Sequence, residues 1–319
     1  MKVLVTGCAG FIGWKVSERL LADGHPVIGA DNLNRSYDIR LKRWRLAQMT
    51  GQQGFSFHPM SVVDRDQLSS LFDQEPWDAV INLAALAGVR ASIEDPWGYY
   101  ETNLTGTLNL LELCQAQGVG KFVLASSSSV YGAGDGPFRE DMPTDRPLSP
   151  YAASKKAAEE LCHFYHHACG MDISLLRFFT VYGPAGRPDM AVFRFIKWIH
   201  EGKPLIVYGD GSQRRDFTYV DDIASGTVLA LKPVGFEAFN LGSDRPVLLN
   251  ALIDQLQEML HKKAKVQHQP PHSADVPSTW ADITKAGKIL GWRPEATLEQ
   301  GLRRAVDWYL ENRAWAREV

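Results

Sequence analysis

The sequence predicts an α/β protein: a doubly wound parallel sheet with a smaller C-terminal α/β domain. Short apolar runs of strand type alternate with helical patterns as far as Phe178. Parallel strands require that alternation, because each crossover needs a helix. A glycine-rich turn, Gly7-Cys8-Ala9-Gly10-Phe11-Ile12-Gly13, joins the first run to the first helix. After Gly183 helices and short strands mix with Gly and Pro turns, which marks a second unit.

In chain order, Lys2–Thr6 reads as a buried strand and Phe11–Ala22 as the helix that follows. Pro26–Ala30, Phe55–Pro59, Asp78–Leu83 and Lys121–Ala125 are apolar runs of strand length. Pro96–Gln117 reads as one long helix with a leucine-rich face. A helix over Tyr151–Cys169 starts well, with Ser149 as N-cap and Pro150 at the first helical position. Ile173–Phe178 returns to the sheet. Helices are then expected over Ala191–Glu201, Asp221–Leu231, Asn250–Leu260 and Leu298–Asn312. The division falls between residues 1–183 and 184–319, with some chain crossing and the cleft between the two parts.

The chain has 319 residues, 45% hydrophobic and 22% charged, enough for a large core. A net charge of −3 gives no electrostatic case for nucleic acid or an anionic membrane. Cys8, Cys114, Cys162 and Cys169 form no CxxC pair, and reduced thiols in a cytoplasmic protein are the simplest reading. Met1-Lys2 runs at once into Val3-Leu4-Val5, which reads as neither a signal peptide nor a membrane anchor. His163, His166 and His167 share a helix without convergent carboxylates or thiols, so no metal is expected.

The glycine turn has the spacing GxxGxxG. Between a first strand and a first helix, glycines permit a tight turn and close approach, and the helix start offers N–H groups to a pyrophosphate. The first part is therefore expected to be a Rossmann-type dinucleotide-binding domain. Asp31 ends the second strand, 18 residues after Gly13. A carboxylate there accepts from an adenosine ribose and repels a 2′-phosphate, so NAD is expected rather than NADP. Asn32, not a basic residue, follows it. An N-cap or turn aspartate is the alternative. Cys8, within the turn, reads as a small buried loop residue. Arg35, Arg40, Lys42, Arg43 and Arg45 read as a solvated helix face, with a place near the adenosine end as the alternative.

Tyr151 and Lys155 stand four apart on a helix, so their side chains share a face. A phenol is a poor base at pH 7, with an ordinary pKa of about 10. A nearby ammonium and the positive end of a helix both favour the phenolate. Alone this spacing is common on helix surfaces. Downstream of a dinucleotide loop it reads as a redox acid–base pair.

Taken together, the glycine pattern, Asn82-Leu83-Ala84-Ala85, Asn103, the serines before Val130-Tyr131-Gly132, and Tyr151-x-x-x-Lys155 resemble the extended short-chain dehydrogenases/reductases. These are mostly nucleotide-sugar enzymes. The resemblance covers nearly the whole chain and is strongest to the UDP-glucuronate 4-epimerases. The specific pieces are Asp31-Asn32-Leu33-Asn34 with Tyr37-Asp38 and Leu41-Lys42, Ala87-Gly88-Val89-Arg90, Ser126–Ser129, Arg177–Pro184, Gly186–Ala191, Ala274–Pro277 and Trp280-Ala281-Asp282. Three places depart. Ser61 stands where the family has an aspartate on adenine, with Asp64 three residues on. Gly209–Gln213 reads like the wider nucleotide-sugar group, and His272 stands where many galactose-type epimerases have an arginine.

The resemblance implies NAD-dependent epimerisation at C4 of a UDP-sugar, UDP-glucuronate to UDP-galacturonate, through a transient 4-keto sugar. Tyr151 would take the C4 hydroxyl proton, Lys155 would hold the phenolate and the nicotinamide ribose, and Ser127 would bridge Tyr151 and the sugar oxygen. Cofactor contacts are implied for Gly7, Gly10, Phe11, Ile12, Gly13, Asp31, Asn32, Leu83, Ala84, Ala85, Asn103, Tyr151, Lys155 and Phe178, with a structural role the alternative for Asn103. Substrate contacts are implied for Arg90, Ser128, Ser129, Thr180, Arg187, Tyr208, Arg215 and Asp275. Ser128 and Ser129 are neutral where dehydratases place Asp-Glu and decarboxylases a glutamate at the second position. Arg187 pairs with a sugar carboxylate or holds its loop. Tyr208 lies beside uracil or is strand core, Arg215 takes the diphosphate or pairs with Asp216 or Asp221, and Asp275 takes the ribose or forms a turn. UDP-glucose/galactose 4-epimerase, UDP-glucuronate decarboxylase and a non-catalytic NAD-binding regulator are the alternatives. The family commonly dimerises through a four-helix bundle, which here implies a homodimer through Pro96–Gln117 and Tyr151–Cys169.

Overall fold

The computed structural model describes residues 1–74, 76–134, 136–271 and 276–319. Among these described residues the strands are β1 Val3–Thr6, β2 Val27–Ala30, β3 Phe55–His58, β4 Ala79–Asn82, β5 Lys121–Ser127, β6 Asp172–Phe178, β7 Thr180–Tyr182, β8 Pro204–Tyr208, β9 Arg214–Tyr219, β10 Phe236–Leu241, β11 Pro246–Leu248 and β12 Lys265–Gln269. The helices are α1 Phe11–Ala22, α2 Ile39–Met49, α3 Arg65–Phe72, α4 Val89–Glu94, α5 Pro96–Tyr100, α6 Gly106–Gln117, α7 Pro150–Cys169, α8 Ala191–His200, α9 Val220–Leu229, α10 Leu249–Leu260, α11 Thr284–Ile289, α12 Leu298–Glu311 and α13 Arg313–Ala316.

Seven strands form the central sheet in the order β10-β6-β5-β4-β1-β2-β3. Every pairing in it is parallel. Period-two alternation divides its side chains between two layers. Val3, Val5, Ala79, Ile81, Val123 and Ala125 pack with residues of α1 and α9 on one face. Leu4, Val80, Phe122 and Leu124 pack with α3, α6 and α7 on the other. Both faces are covered, which explains why these strands read as unbroken apolar runs. Strand order reverses between β1 and β4, so the crevice for a ligand opens at their carboxyl ends.

The chain after Gly183 returns to this sheet. β10 pairs with β6 from Phe236↔Ile173 to Leu241↔Phe178. A second sheet, β11-β9-β7, joins Thr180 to Phe217 and Tyr182 to Tyr219. A third pairs β12 with β8 in parallel. Strands from before and after Gly183 thus share sheets at both ends of β6 and β7.

Three expectations need correction. Pro96–Gln117 is not one α-helix: α5 and α6 are joined by a π-helical turn over Glu101–Thr105. Such a turn widens the helix by one residue and often marks a functional position. The strand expected to stop at Ala125 runs on to Ser127, because Ser126 and Ser127 pair with Arg177 and Phe178. The basic stretch is only partly a solvated face: Lys42 is 5% exposed and Arg45 is completely buried.

Candidate active site

The glycine turn is built for close approach. A Cβ on Gly7 would lie 2.8 Å from Ala84 N, and one on Gly13 would lie 2.1 Å from Gly7 O. Gly7 also has φ +68°, the left-handed region that glycine enters at no steric cost. Gly10 is the N-cap of α1 and has no side chain to cap it. The first N–H groups of α1, at Phe11 and Ile12, therefore face the crevice as an anion site. Leu83 N donates to Thr6 O at 3.2 Å, and Ala84 N to Thr6 Oγ1 at 3.2 Å. The Leu83-Ala84-Ala85 loop is thereby fixed against the turn.

Asp31 is buried at the end of β2, 6% exposed. Its Oδ2 accepts from Ala9 N at 3.2 Å, and its Oδ1 accepts from Leu33 N at 2.8 Å. Lys42 Nζ lies 3.4 Å from Oδ1. Three of about four acceptor positions on the carboxylate are therefore used, and one is left for a ribose hydroxyl. Asp31 does have a basic partner after all, eleven residues on and one turn into α2. Asn32 Nδ2 donates to Ser61 Oγ at 3.5 Å, which puts Ser61 at this end of the crevice. Asp64, by contrast, caps α3 through Gln67 N. Buried in the turn, the Cys8 thiol is pushed well above its ordinary pKa by desolvation and then by Asp31.

The α7 residues meet the carboxyl edge of β5. Ser149 Oγ accepts from Ala152 N at 3.1 Å, and Pro150 opens the helix, as the sequence suggests. Tyr151 lies close enough to Ser127 for that hydroxyl to favour its phenolate. Ser127 Oγ also accepts from Ser129 N at 3.2 Å, which turns the chain off β5 and brings Ser128 and Ser129 to the rim. Ser126 points the other way, as strand alternation requires, and donates to Glu159 at 2.5 Å. Lys155 Nζ donates to Ala125 O at 2.8 Å. Burial lowers its pKa to about 8, while Glu159 one turn on works against that. Burial is also the largest influence on Tyr151 and pushes its phenol up, opposed by Ser127 and by the charge of Arg187. The lowered phenol expected from Lys155 and the helix start is not what the site gives: desolvation dominates, and the opposing influences come from Ser127 and Arg187.

Arg187 stands in the turn after β7. Nη2 donates to Ala87 O at 2.9 Å, and Nε donates to Asp189 Oδ1 at 3.1 Å. Among the described residues Nη1 makes no hydrogen bond. Thr180 and Arg187 line the same small cavity, with Met190, Phe193 and Phe217. Gly88 has φ +128° and lies where a Cβ would meet Tyr99 OH at 3.4 Å and Arg187 Nη2 at 3.7 Å. Tyr99 packs edge-on against Tyr151, ring centroids 6.1 Å apart. Its own phenol is pushed up to about 12 by burial.

The remaining predicted residues fall in two groups. Phe178 lies opposite Ser127 across the β5–β6 ladder. Asn103, in the π turn, accepts from Leu86 N at 2.9 Å and donates to Leu86 O and Ser154 Oγ, both at 3.0 Å. It is a strut between the loop after β4 and α7, with a single acceptor position to spare. Arg90 lies over the ring of Tyr208 at 4.0 Å, so α4 and the end of β8 meet across the cleft. Arg215 Nη1 donates to Arg214 O at 2.8 Å and Pro277 O at 3.4 Å. The carboxylate of Asp216 is occupied by Ser243 N, Asp244 N and Ala281 N, and Asp221 lies beside Lys15 and Arg304. Asp275 and His272 lie outside the described residues.

Residues 3–242 match the model of the NAD dependent epimerase/dehydratase family. The chain belongs to that family. It is 55% identical, over 97% of its length and 96% of the relative's, to the UDP-glucuronate 4-epimerase of Thermodesulfobacterium geofontis. The crystal structure of UDP-glucuronic acid 4-epimerase from Bacillus cereus, in complex with UDP-glucuronic acid and NAD, is similar with a TM-score of 0.93 and 38% identity, covering 98% of this chain and all of that one. A UDP-glucose 4-epimerase from Thermotoga maritima with UDP-glucose is similar with a TM-score of 0.89 and 32% identity, covering 98% and 99%.

Within this family fold, sequence reasoning missed Tyr99 and Glu159 as parts of the site or its supports, and gave Lys42 and Arg45 a place near the adenosine end only as the alternative. Tyr99 had a signal, since the aromatic run Trp97-Gly98-Tyr99-Tyr100 follows a helix-starting Pro96. Glu159 had one too, as the next turn of helix after Lys155. For Lys42 and Arg45 the solvated face comes first because charge runs on helices usually face water.

Proposed function

We propose that this protein is an NAD-dependent UDP-glucuronate 4-epimerase that interconverts UDP-glucuronate and UDP-galacturonate. The observation that carries the reading is the convergence of Tyr151, Ser127 and Arg187: the phenol that moves the C4 proton packs on Tyr99, which shares the space beside Gly88 with Arg187, and it feels both the Ser127 hydroxyl and the Arg187 charge. A sugar with a carboxylate on the carbon next to C4 would bring that group to the same place.

The residues around the crevice fit NAD. The crowded turn at Gly7 and Gly13, the uncapped N-terminus of α1 and the last acceptor position of Asp31 would hold its pyrophosphate and ribose. NAD supplies the redox step when bound, accepting the C4 hydrogen with its electron pair and returning it. Tyr151 takes and returns the hydroxyl proton, and Ser127 relays it to the sugar oxygen. Lys155, fixed to Ala125 O, presents its charge to the phenol and to the nicotinamide ribose. Asn32, Leu83, Ala84, Ala85 and Phe178 line the cofactor side; Asn103 fixes that loop in place.

On the sugar side, Ser128, Ser129 and Thr180 offer neutral hydroxyls and Arg187 a charge to the carboxylate. A 4-keto-glucuronate is a β-keto acid and loses CO2 fastest when its carboxylate bond stands perpendicular to the ketone plane. These four residues hold the carboxylate out of that geometry. Arg90, Tyr208 and Arg215 take the nucleotide end, with Asp275 on the ribose. Residues 1–183 serve mainly the cofactor and 184–319 mainly the UDP-sugar.

The protein works as a homodimer in the cytoplasm. Support for the dimer comes from Trp97, Tyr100, Leu108 and Phe164, exposed apolar side chains on α5, α6 and α7. Support for the compartment comes from four unpaired thiols. Among the described residues no helix is long and apolar enough to cross a membrane. The test is Tyr151→Phe, which should keep bound NAD and lose turnover on UDP-glucuronate. Full turnover in that variant would refute the mechanism.

A further inference from the structure

Arg45 is a buried cation that the proposed mechanism does not use. It lies on α2 with no exposed surface. Nε and Nη2 donate to Ala185 O at 3.0 and 2.6 Å, and Nη2 also reaches Gly186 O at 3.3 Å. Nη1 donates to Ala9 O at 3.3 Å and to the Tyr37 hydroxyl at 2.6 Å. The rings of Phe11 and Tyr37 lie 5.7 and 5.4 Å from the guanidinium carbon. Every N–H of the group is therefore directed at a neutral acceptor, in the planar fork that only arginine has.

The acceptors belong to three segments that all bear on the site. Ala9 lies in the glycine turn, and its own N–H is held by Asp31. Tyr37 lies in the stretch after Asp31, close enough to Arg187 to influence it electrostatically. Ala185 and Gly186 form the turn that ends at Arg187. Ala185 has φ +50°, a conformation that an L-residue adopts only under constraint. The two bonds from Arg45 to Ala185 O are that constraint.

We propose that Arg45 is a positioning residue for carboxylate recognition. It locks the turn carrying Arg187 to the cofactor-binding turn, so that Arg187 stands at a fixed place relative to Tyr151 and the sugar carboxylate. This rests on the epimerase reading. Arg187 itself also holds Ala87 O and Asp189, but those contacts orient the side chain and leave its turn to Arg45.

The test uses purified wild type, Arg45→Lys and Tyr37→Phe, each with its NAD content measured after release. Binding of UDP-glucuronate and of UDP-glucose is measured by calorimetry, and unfolding by heat. Lysine keeps the charge but cannot reach all the acceptors from one nitrogen. Arg45→Lys should lose about tenfold in affinity for UDP-glucuronate, with UDP-glucose binding little changed, so the preference collapses. Tyr37→Phe, which removes one acceptor and spares the rest, should move the preference about threefold in the same direction. A lower melting temperature with an unchanged preference in both variants would overturn the proposal. If Arg45→Lys does not fold, an unchanged preference in Tyr37→Phe overturns it alone. A wild type that binds the two sugars equally well would instead refute the epimerase reading, and this inference with it.

Discussion

Gly13→Ala tests the cofactor turn by the space it leaves. The added Cβ would stand 2.1 Å from Gly7 O, 2.8 Å from Gly7 C and 3.0 Å from Cys8 Cα. All three are backbone-borne, so no side chain can swing away. Relief requires the turn to recede from α1 by roughly 1 Å, since carbon contacts settle near 3.5 Å. Gly7 O accepts from Gly10 N at 2.9 Å, and Gly7 N donates to Ala30 O at 2.7 Å. Overpacking costs about 1–3 kcal/mol, and losing a turn hydrogen bond adds about 1 kcal/mol. Alanine's helix preference returns about 0.5–1 kcal/mol. The net destabilisation is about 1–3 kcal/mol, a melting shift of a few degrees. The functional loss should be larger, because the displaced backbone is the surface on which a pyrophosphate would lie. Gly120→Ala is the control, as nothing stands within 4 Å of its Cβ position. The assay is NAD content of the purified protein together with its melting temperature. Gly13→Ala with wild-type NAD content and melting temperature would refute the account of the turn.

Three further outcomes follow from the same geometry. Thr180→Val and Arg187→Lys should each raise the ratio of UDP-xylose to UDP-galacturonate several-fold on UDP-glucuronate, read by NMR; an unchanged ratio would remove the carboxylate-holding role. Lys155 titrates near 8 in the folded protein against an ordinary 10.5, so between those values the unfolded chain binds more protons and stability rises with pH. The buried ammonium therefore costs up to roughly 3 kcal/mol below pH 8, and in denaturation of NAD-free protein the advantage of Lys155→Met over wild type should shrink from pH 8 to 10.5. Trp97→Glu with Phe164→Glu should convert a dimer to a monomer in sedimentation, with the melting temperature of each subunit kept within a few degrees.

What could be read from the sequence was local. Ser149 and Pro150 are the N-cap and the first residue of the helix they start, and Gly7, Gly10 and Gly13 carry their steric reason with them. Alternating apolar runs gave the parallel sheet because both faces are buried. The rest depended on partners distant in sequence. Ser126 and Ser127 are strand only because Arg177 and Phe178 continue the ladder, a fact that their polarity conceals. Among the described residues, four of the five hydrogen bonds of Arg45 go to carbonyls 36 to 141 residues away, so its charge reads locally as solvated. The π turn at Glu101–Thr105 inserts a residue that helix propensity does not register. Lys155 and Tyr151 share a face as their spacing requires, yet their titration follows burial, which spacing does not reveal.

The most direct measurement is the product formed by purified wild type from UDP-glucuronate with no NAD added, followed by NMR, with UDP-glucose in a parallel tube. The account predicts UDP-galacturonate from the first and little or no UDP-galactose from the second. UDP-xylose as the product, or no conversion of UDP-glucuronate, would contradict it.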